Sequence, residues 1–362
     1  MRRLPGVTPT DRVGIARGDV VIHAPGFEDR TMAIVDLVAP VGRPYAILIE
    51  YFPIDEKNRF DDVRNGLLRV GMRVPRTNIV RYDRFDPRDY ESRIAKLLVK
   101  RSARRVVLDL SSMSKLLILL TLNVCAALDL QVTVVYAEAN EYCPTQADFE
   151  AAKARRDIHR PTIQIFTGVH GVVRVNSLAS VAMQGQPTAA LVFMSFNDVL
   201  TQVLLNTVCP SRLYLINGKP PIHSWREEAT AWIHDQVRRE WQEDNPVDAS
   251  AAGTPRPQRA VSTLDYRETL SLLLTLYWQL SPTHRVLLAP AGSKMQAIGC
   301  YLIKALHPDI QIEYPSPTGF RWDYYSSGIG DRWLLPLGRL STLLDRIYRA
   351  ERRRFLQLPT LA

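Results

Sequence analysis

The sequence predicts an α/β protein built from two open parallel sheets, each with helices on both faces. Apolar strands of five or six residues alternate with amphipathic or buried helices, which is the pattern of a parallel sheet. The alternation occurs twice in the same order. The 362 residues also exceed the usual size of one domain, about 100 to 200 residues. We therefore expect two related domains in one chain.

An internal duplication is the basis of that expectation. The stretch RVVLDLSSMSKLLILL from Arg105 matches RVLLAPAGSKMQAIGC from Arg285, each as a buried strand, a polar turn and a helix. Upstream, DVVIHAPGFEDR from Asp19 matches AALVFMSFNDVL from Ala189 in the same way. Three further matches follow. RPYAILIEYFP matches SRLYLINGKPP, and NIVRYDRFDPRD matches RAVSTLDYRETL. After the last strands, FTGVHGVVRVNSLAS matches SSGIGDRWLLPLGRLS. Successive matches in one order predict a fused pseudo-dimer.

The boundary between the repeats falls in SVAMQGQP, residues 180–187, where periodicity is lost and Gly and Pro occur. The predicted domains are residues 1–183 and residues 184–362. Residues 244–258, DNPVDASAAGTPRPQ, are rich in Ala, Pro and Gly and predict a mobile loop inside the second domain.

Composition narrows the class of protein. The four cysteines form no CxxC pair, so we expect neither a metal site nor a disulfide scaffold, and no motif calls for a cofactor. No apolar run is long enough to span a membrane, and the first residues lack the apolar core of a secretory signal, which makes a cytoplasmic protein the expectation. The net charge of +9 favours an anionic partner.

Two lysine turns are the main functional candidates, because ligands of open α/β sheets bind beyond the carboxyl ends of the strands. Lys115 and Lys294 occupy the same place in the two repeats, although only eight residues of the chain are lysine. A lysine at a helix N-terminus opposes the helix dipole by about 0.3 to 1 kcal/mol. The backbone N–H groups there favour an anion, and a bound anion would make the position of the lysine favourable. The alternative is a capping serine beside a lysine that extends to solvent.

The predicted anion-binding residues are the small polar residues and lysines of these turns: Ser111, Ser112, Ser114 and Lys115 in the first repeat, and Ala291, Gly292, Ser293 and Lys294 in the second. Other strand ends add Arg30, Asn217 and Lys219 as ligand candidates, and His23 and Glu28 as a candidate catalytic base or acid. For the stretch HAPGFEDR, an ordinary helix start with acids that suit the dipole stays open as an alternative.

The stretches LDLSSMSKLLIL and LAPAGSKMQAIG resemble the strand, TGGTK-type turn and helix of CRISPR-associated Rossmann-fold (CARF) domains. The duplicated plan is similar to the fused tandem of the SAVED sensors in cyclic-nucleotide defence systems. The resemblance implies two Rossmann-like sheets, a phosphate of a cyclic oligonucleotide messenger at the turns, and a separate effector partner. Ser112 and Met113 replace the two glycines of the family pattern, whereas the second turn keeps Gly292 and is expected to be the better preserved copy.

Three functions remain open at this point. The first is a cytoplasmic sensor that binds a phosphorylated nucleotide-type ligand between the two halves, and the resemblance implies a role in prokaryotic antiviral defence. The second is an enzyme that processes a nucleotide phosphate in the same crevice, with His23 or Glu28 as the base. The third is a basic nucleic-acid-binding component of a defence complex, in which overall charge dominates.

Overall fold

The computed structural model describes residues 1, 3–155, 165–241 and 259–356. The predicted mobile loop at residues 244–258 lies outside this part of the chain. Within the described part, no helix combines the length and the apolar character needed to cross a membrane.

Strands and helices alternate through both repeats. The strands of the described residues are β1 (Thr8–Pro9), β2 (Val13–Ile15), β3 (Asp19–His23), β4 (Val38–Pro40), β5 (Tyr45–Phe52), β6 (Ile79–Asp83), β7 (Arg105–Asp109), β8 (Gln131–Ala137), β9 (Glu141–Tyr142), β10 (Phe166–Val173), β11 (Thr188–Phe193), β12 (Arg212–Lys219), β13 (Arg259–Ser262), β14 (Arg285–Ala289), β15 (Gln311–Ile312), β16 (Tyr314–Phe320), β17 (Ser326–Ser327) and β18 (Arg332–Arg339).

The α-helices of the same residues are α1 (Ala33–Leu37), α2 (Phe60–Arg69), α3 (Tyr90–Lys100), α4 (Lys115–Ala127), α5 (Gln146–Ala154), α6 (Asp198–Val208), α7 (Trp225–Ile233), α8 (Asp235–Trp241), α9 (Tyr266–Leu280), α10 (Lys294–Leu306) and α11 (Leu340–Leu356). Short 3-10 helices cover Asp29–Met32, Arg76–Asn78, Asn176–Leu178 and Trp322–Tyr324.

Two open sheets confirm the predicted fold class. The larger has the strand order β1, β18, β8, β7, β3, β5, β6, and the smaller has the order β13, β12, β11, β14, β15. All pairs of the smaller sheet are parallel, as are the pairs among β8, β7, β3, β5 and β6 of the larger one. Numbered within its own repeat, each parallel set has the order 3-2-1-4-5. This is the order of a Rossmann-like half.

The strand registers show which residues correspond between the repeats. Asp19 of β3 pairs with Arg105 of β7, and Thr188 of β11 pairs with Arg285 of β14. Counting from these pairs, His23 corresponds to Val192 and Asp109 corresponds to Ala289. The structural correspondence for β3 and β11 differs by one residue from the match made on sequence letters, which aligned Asp19 with Ala189. Side chains alternate between the two faces of a strand, so a shift of one residue changes which side chains of the two repeats are equivalent.

The chain divides into two compact units whose limits differ from the predicted halves at residues 183 and 184. One unit contains Met1–Asn140 with Gly328–Ala362, and the other contains Glu141–Ser327. The trailing strands explain the difference. β18, from the end of the second repeat, pairs antiparallel with β8 of the first, and β10, from the end of the first repeat, pairs antiparallel with β16 of the second. Each repeat thus supplies a strand to the other unit.

Each sheet is covered by apolar helices, which fixes the positions of the turns at its strand ends. Helix α4 follows β7 and is buried on nearly all sides, with Leu116, Leu117, Ile118, Leu119 and Leu120 in the core. A helix of that kind belongs to the interior, as its unbroken apolar sequence predicts. Its first residue is Lys115, so the polar turn is held between a buried strand and a buried helix.

Candidate functional site

The carboxyl ends of β3 and β7 mark the point where the strand order of the first unit reverses. Chain connections leave the two strands in opposite directions there, and this is the position at which open α/β sheets usually bind their ligands. The loop after β3 carries Gly26, Glu28 and Arg30, and the turn after β7 carries Ser111 to Lys115. The predicted residues of the first repeat therefore do converge on one edge.

A hydrogen-bonded tyrosine fixes the turn between β7 and α4. Ser114 caps α4, since its Oγ accepts a hydrogen bond from the Leu117 N–H at 3.2 Å. The Ser114 N–H donates to the hydroxyl of Tyr51 at 2.8 Å, and that hydroxyl donates to the carbonyl of Ser112 at 3.1 Å. The capping alternative is thus present, but it involves Ser114 and leaves Lys115 outside the cap.

A buried histidine and a buried aspartate lie directly behind the turn. Nδ1 of His23 lies 2.8 Å from Oδ2 of Asp109, and both side chains are fully inaccessible to water. The other oxygen of Asp109 accepts from the N–H of Ser111 at 2.9 Å and from the Ser111 hydroxyl at 2.5 Å. Burying charged groups in this way is tolerated only where partners compensate them. By register, the second repeat has the apolar pair Val192 and Ala289 at these positions.

Hydroxyl groups extend this pair towards the surface, and the hydrogen bonds fix where the protons lie. The Ser112 hydroxyl donates to the carbonyl of Ala24 at 2.7 Å, so its 2.9 Å contact with the Thr31 hydroxyl must use the Thr31 proton. Thr31 Oγ1 then accepts from the N–H of Gly26 and from Nε2 of His23, each at 3.1 Å. Nε2 of His23 is therefore the donor to Thr31, and Nδ1 lies 2.8 Å from Oδ2 of Asp109. Both ring nitrogens face buried protein atoms rather than solvent.

Gly26 brings the two turns together. A Cβ atom on Gly26 would lie 3.0 Å from Cβ of Ser112, closer than side-chain carbons normally approach. The absence of a side chain at this position therefore allows the loop after β3 to contact the turn after β7. The glycine is required for space rather than for a left-handed backbone conformation.

We expect Gly26→Ala to lower the free energy of unfolding by about 1 to 3 kcal/mol, the usual cost of overpacking a filled site. Gly14→Ala is the control, because no described atom would lie within 4 Å of a Cβ there. Urea denaturation at neutral pH measures both variants. Equal stability of the two variants would contradict the close approach of the two turns.

A buried ion pair lies in the loop that follows β3. Nη2 of Arg30 lies 2.9 Å from Oε1 and 2.6 Å from Oε2 of Glu28, and Nη1 donates to the hydroxyl of Tyr136 at 3.3 Å. Arg30 is 3% exposed and Glu28 is 7% exposed. The guanidinium also lies 5.9 Å from the centre of the Tyr136 ring. Arg30, a predicted ligand contact, and Glu28, a candidate catalytic residue, are therefore paired with each other.

Lys115 is the cation of this site that forms no close ion pair among the described residues. Among the described residues, no hydrogen bond or ion pair reaches its ammonium group, and its side chain is partly buried. The pKa of Lys115 is lowered from the usual 10.5 to about 8, mainly by removal from water and further by the charge of Arg30. The carboxylate of Glu28 opposes that change. The site therefore carries an excess of positive charge at the N-terminus of α4.

The corresponding turn of the second unit is closed by its own side chains. Ser293 caps α10, its Oγ accepting from the N–H of Gln296 at 3.1 Å, and the Gln296 side chain accepts from the N–H of Ser293 at 2.7 Å. A Cβ on Gly292 would lie 2.1 Å from that Gln296 oxygen, so the glycine makes room for the capping box. Ala291 donates its N–H to Ala289 at 2.9 Å. The backbone donor of Ser293, expected to face a ligand, is thus occupied internally.

The remaining candidates of the second repeat have different surroundings. Asn217 is fully buried, its amide donating to the carbonyl of Glu227 at 2.8 Å while its side-chain oxygen accepts from the N–H of Gly218. These hydrogen bonds lie inside the protein and stabilise the end of β12. Lys219 is exposed at the end of β12, and Lys294 is partly exposed at the first position of α10. Their roles as ligand contacts remain predictions.

Several residues of the first site were not predicted from the sequence. Tyr51, Thr31, Asp109 and Tyr136 all contact the turns, but each lies on a strand or helix start that gives no local signal of a site. A polar residue at the end of an apolar strand, as in VVLD, is the one pattern that could have identified Asp109. Comparison with known proteins adds no further assignment, since the chain matches no family model and no curated protein sequence.

Proposed function

We propose that the protein binds a phosphorylated nucleotide-type ligand and that an oxyanion of this ligand sits at the turn before α4. The observation that carries the proposal is Lys115, a partly buried ammonium group that no hydrogen bond or ion pair reaches among the described residues. An oxyanion in contact with it would offset the cost of its burial and would also interact favourably with the N-terminus of α4. The first unit is the proposed site, because the second turn is closed by Gln296.

The nucleotide character of the ligand rests on the position of the site and on the resemblance. A crevice at the strand-order switch point is where doubly wound sheets bind nucleotides. The LDLSSMSKLLIL turn adds the resemblance to CARF and SAVED domains, which makes a cyclic oligonucleotide messenger in antiviral defence the favoured ligand class. A separate effector partner follows from the same resemblance and belongs to the proposal. A cytoplasmic location, which was expected from the sequence without a secretory signal, is proposed as well.

The geometry favours binding over catalysis by the two proposed bases. His23 is fully buried with its ring nitrogens facing Thr31 and Asp109, and both oxygens of Glu28 face Arg30. A general base needs a lone pair within hydrogen-bond reach of its substrate. Binding of an oxyanion by Lys115 requires no such group. Hydrolysis of a nucleotide phosphate therefore stays the second candidate, and its sign would be turnover that disappears in His23→Ala.

A thermal-unfolding assay with a panel of cyclic and linear oligonucleotides tests the proposal. A ligand present at 100 to 1,000 times its Kd should raise the free energy of unfolding by about 3 to 4 kcal/mol. Long double-stranded DNA at two salt concentrations is the control for the third function, because binding through overall charge falls steeply with salt. If no panel member raises the unfolding temperature, or if only the salt-sensitive DNA does, the proposed function is wrong.

A further inference from the structure

The Glu28 carboxylate is paired with Arg30, a cation that could otherwise pair with an oxyanion ligand. Both of its oxygens lie within 2.9 Å of Nη2 of Arg30, and the pair is buried. The same carboxylate acts on Lys115, whose pKa it raises against the effects of burial and of Arg30. One internal anion therefore interacts electrostatically with both Arg30 and Lys115.

From this arrangement we infer that Glu28 is a built-in competitor that weakens the binding of every oxyanion at this site and so sets the concentration at which the site fills. The inference rests on the proposed function and adds its regulation. An oxyanion arriving at Lys115 meets a carboxylate already held by Arg30, and like charges in a poorly solvated crevice repel strongly. With Glu28 ionised, the three groups sum to a charge of +1. Without it they sum to +2.

The position of Glu28 on the chain fits this role. It is the extended residue just before the 3-10 helix Asp29–Met32, and Arg30 lies within that helix, so the two side chains come from one short loop. The loop is anchored by Thr31 and Gly26 against the turn after β7. A carboxylate on such a loop can exchange its position on Arg30 with a ligand while the anchored backbone stays in place.

The experiment compares wild type and Glu28→Gln by titrating inorganic sulfate, a dianion at neutral pH, at constant ionic strength kept with sodium chloride. The dependence of the unfolding temperature on sulfate gives an apparent Kd for each protein. We expect Glu28→Gln to bind sulfate about tenfold more tightly than wild type, because a like charge is removed from the crevice. Equal or weaker binding by Glu28→Gln, with wild type responding, would overturn the inference and leave the proposed function intact.

Two further variants cover the other outcomes. Glu28→Gln/Arg30→Gln keeps the shape of the buried pair without its charges, and it should lose the gain in affinity if Arg30 is the group released.

If Glu28→Gln does not fold, Glu28→Asp gives the answer, because a side chain shorter by one methylene group withdraws the carboxylate from Arg30. Tighter sulfate binding by Glu28→Asp supports the inference, and unchanged or weaker binding overturns it. No sulfate response in wild type or in any variant counts against the proposed function itself.

Discussion

Lys115→Met is expected to abolish ligand-dependent stabilisation while making the ligand-free protein more stable. A lysine whose pKa falls from 10.5 to about 8 destabilises the folded state by about 3 kcal/mol at pH 7, and partial exposure reduces this to about 2 kcal/mol. Methionine keeps the length of the side chain and removes the charge. Substitution of a residue that stabilises the fold would lower the free energy of unfolding. Removal of the Lys115 charge should raise it, because burial of that charge is unfavourable.

The pH dependence gives the same experiment a second readout. Below pH 8 Lys115 is charged in both the folded and the unfolded chain, so the full cost of its burial applies. Between pH 8 and 10.5 the folded protein has released this proton and the unfolded chain still holds it, so stability contributed by this residue rises with pH. The stability advantage of Lys115→Met over wild type should therefore shrink through that window.

Lys294→Met is the matched control, because it changes the equivalent first residue of α10. We expect it to retain most of the ligand response, since the turn before α10 is closed by its capping box. Urea denaturation from pH 7 to 10, with and without the ligand that gives the largest thermal shift, measures all of these effects. Loss of the response in Lys294→Met but not in Lys115→Met would contradict the assignment of the site to the first unit.

Asp109→Ala is expected to cost about 3 to 5 kcal/mol of unfolding free energy, because it leaves His23 buried without its carboxylate partner. The second repeat suggests the compensating change, since Val192 and Ala289 stand at the corresponding positions. The double variant His23→Val/Asp109→Ala should recover a large part of this loss. Ser111 still loses its acceptor there, so the recovery is incomplete.

A double-mutant cycle measures this coupling. We expect an interaction energy of about 2 to 3 kcal/mol between His23 and Asp109, within the upper range for residues in direct contact. Chemical denaturation of wild type, His23→Val, Asp109→Ala and the double variant supplies the four values. Simple additivity of the two single costs would contradict the buried pair as described.

The parts of the fold that were predicted correctly depend on local patterns. Apolar strands of five or six residues followed by polar turns located β3, β7, β11 and β14 and the helices behind them, because burial on both faces of a parallel sheet leaves a continuous apolar signal. The same pattern of strand, polar turn and helix predicts Lys115 at the start of α4. The pairing of β10 with β16 and of β18 with β8 was not predicted, because the sequence of neither strand indicates which strand it pairs with.

The character of the two sites was harder to predict than their positions. The turn APAGSK looked like the better preserved copy because it keeps Gly292, yet that glycine accommodates the Gln296 side chain. The turn SSMSK lacks the glycines but places Lys115 beside Arg30 and Glu28. Both outcomes depend on side chains that come from elsewhere in the chain or from the next helical turn, so residue types in the turn alone could not distinguish them.

Proton uptake on ligand binding tests the central claim most directly. Calorimetric titration of wild type at pH 8, in two buffers of different ionisation enthalpy, with the cyclic oligonucleotide that gives the largest thermal shift, measures the protons taken up. A phosphodiester does not titrate near this pH, and Lys115 with a pKa of about 8 is half protonated, so binding should take up about half a proton. We expect no uptake at pH 6.5 or in any complex of Lys115→Met. Binding without proton uptake at pH 8, or equal uptake by Lys115→Met, would contradict the account.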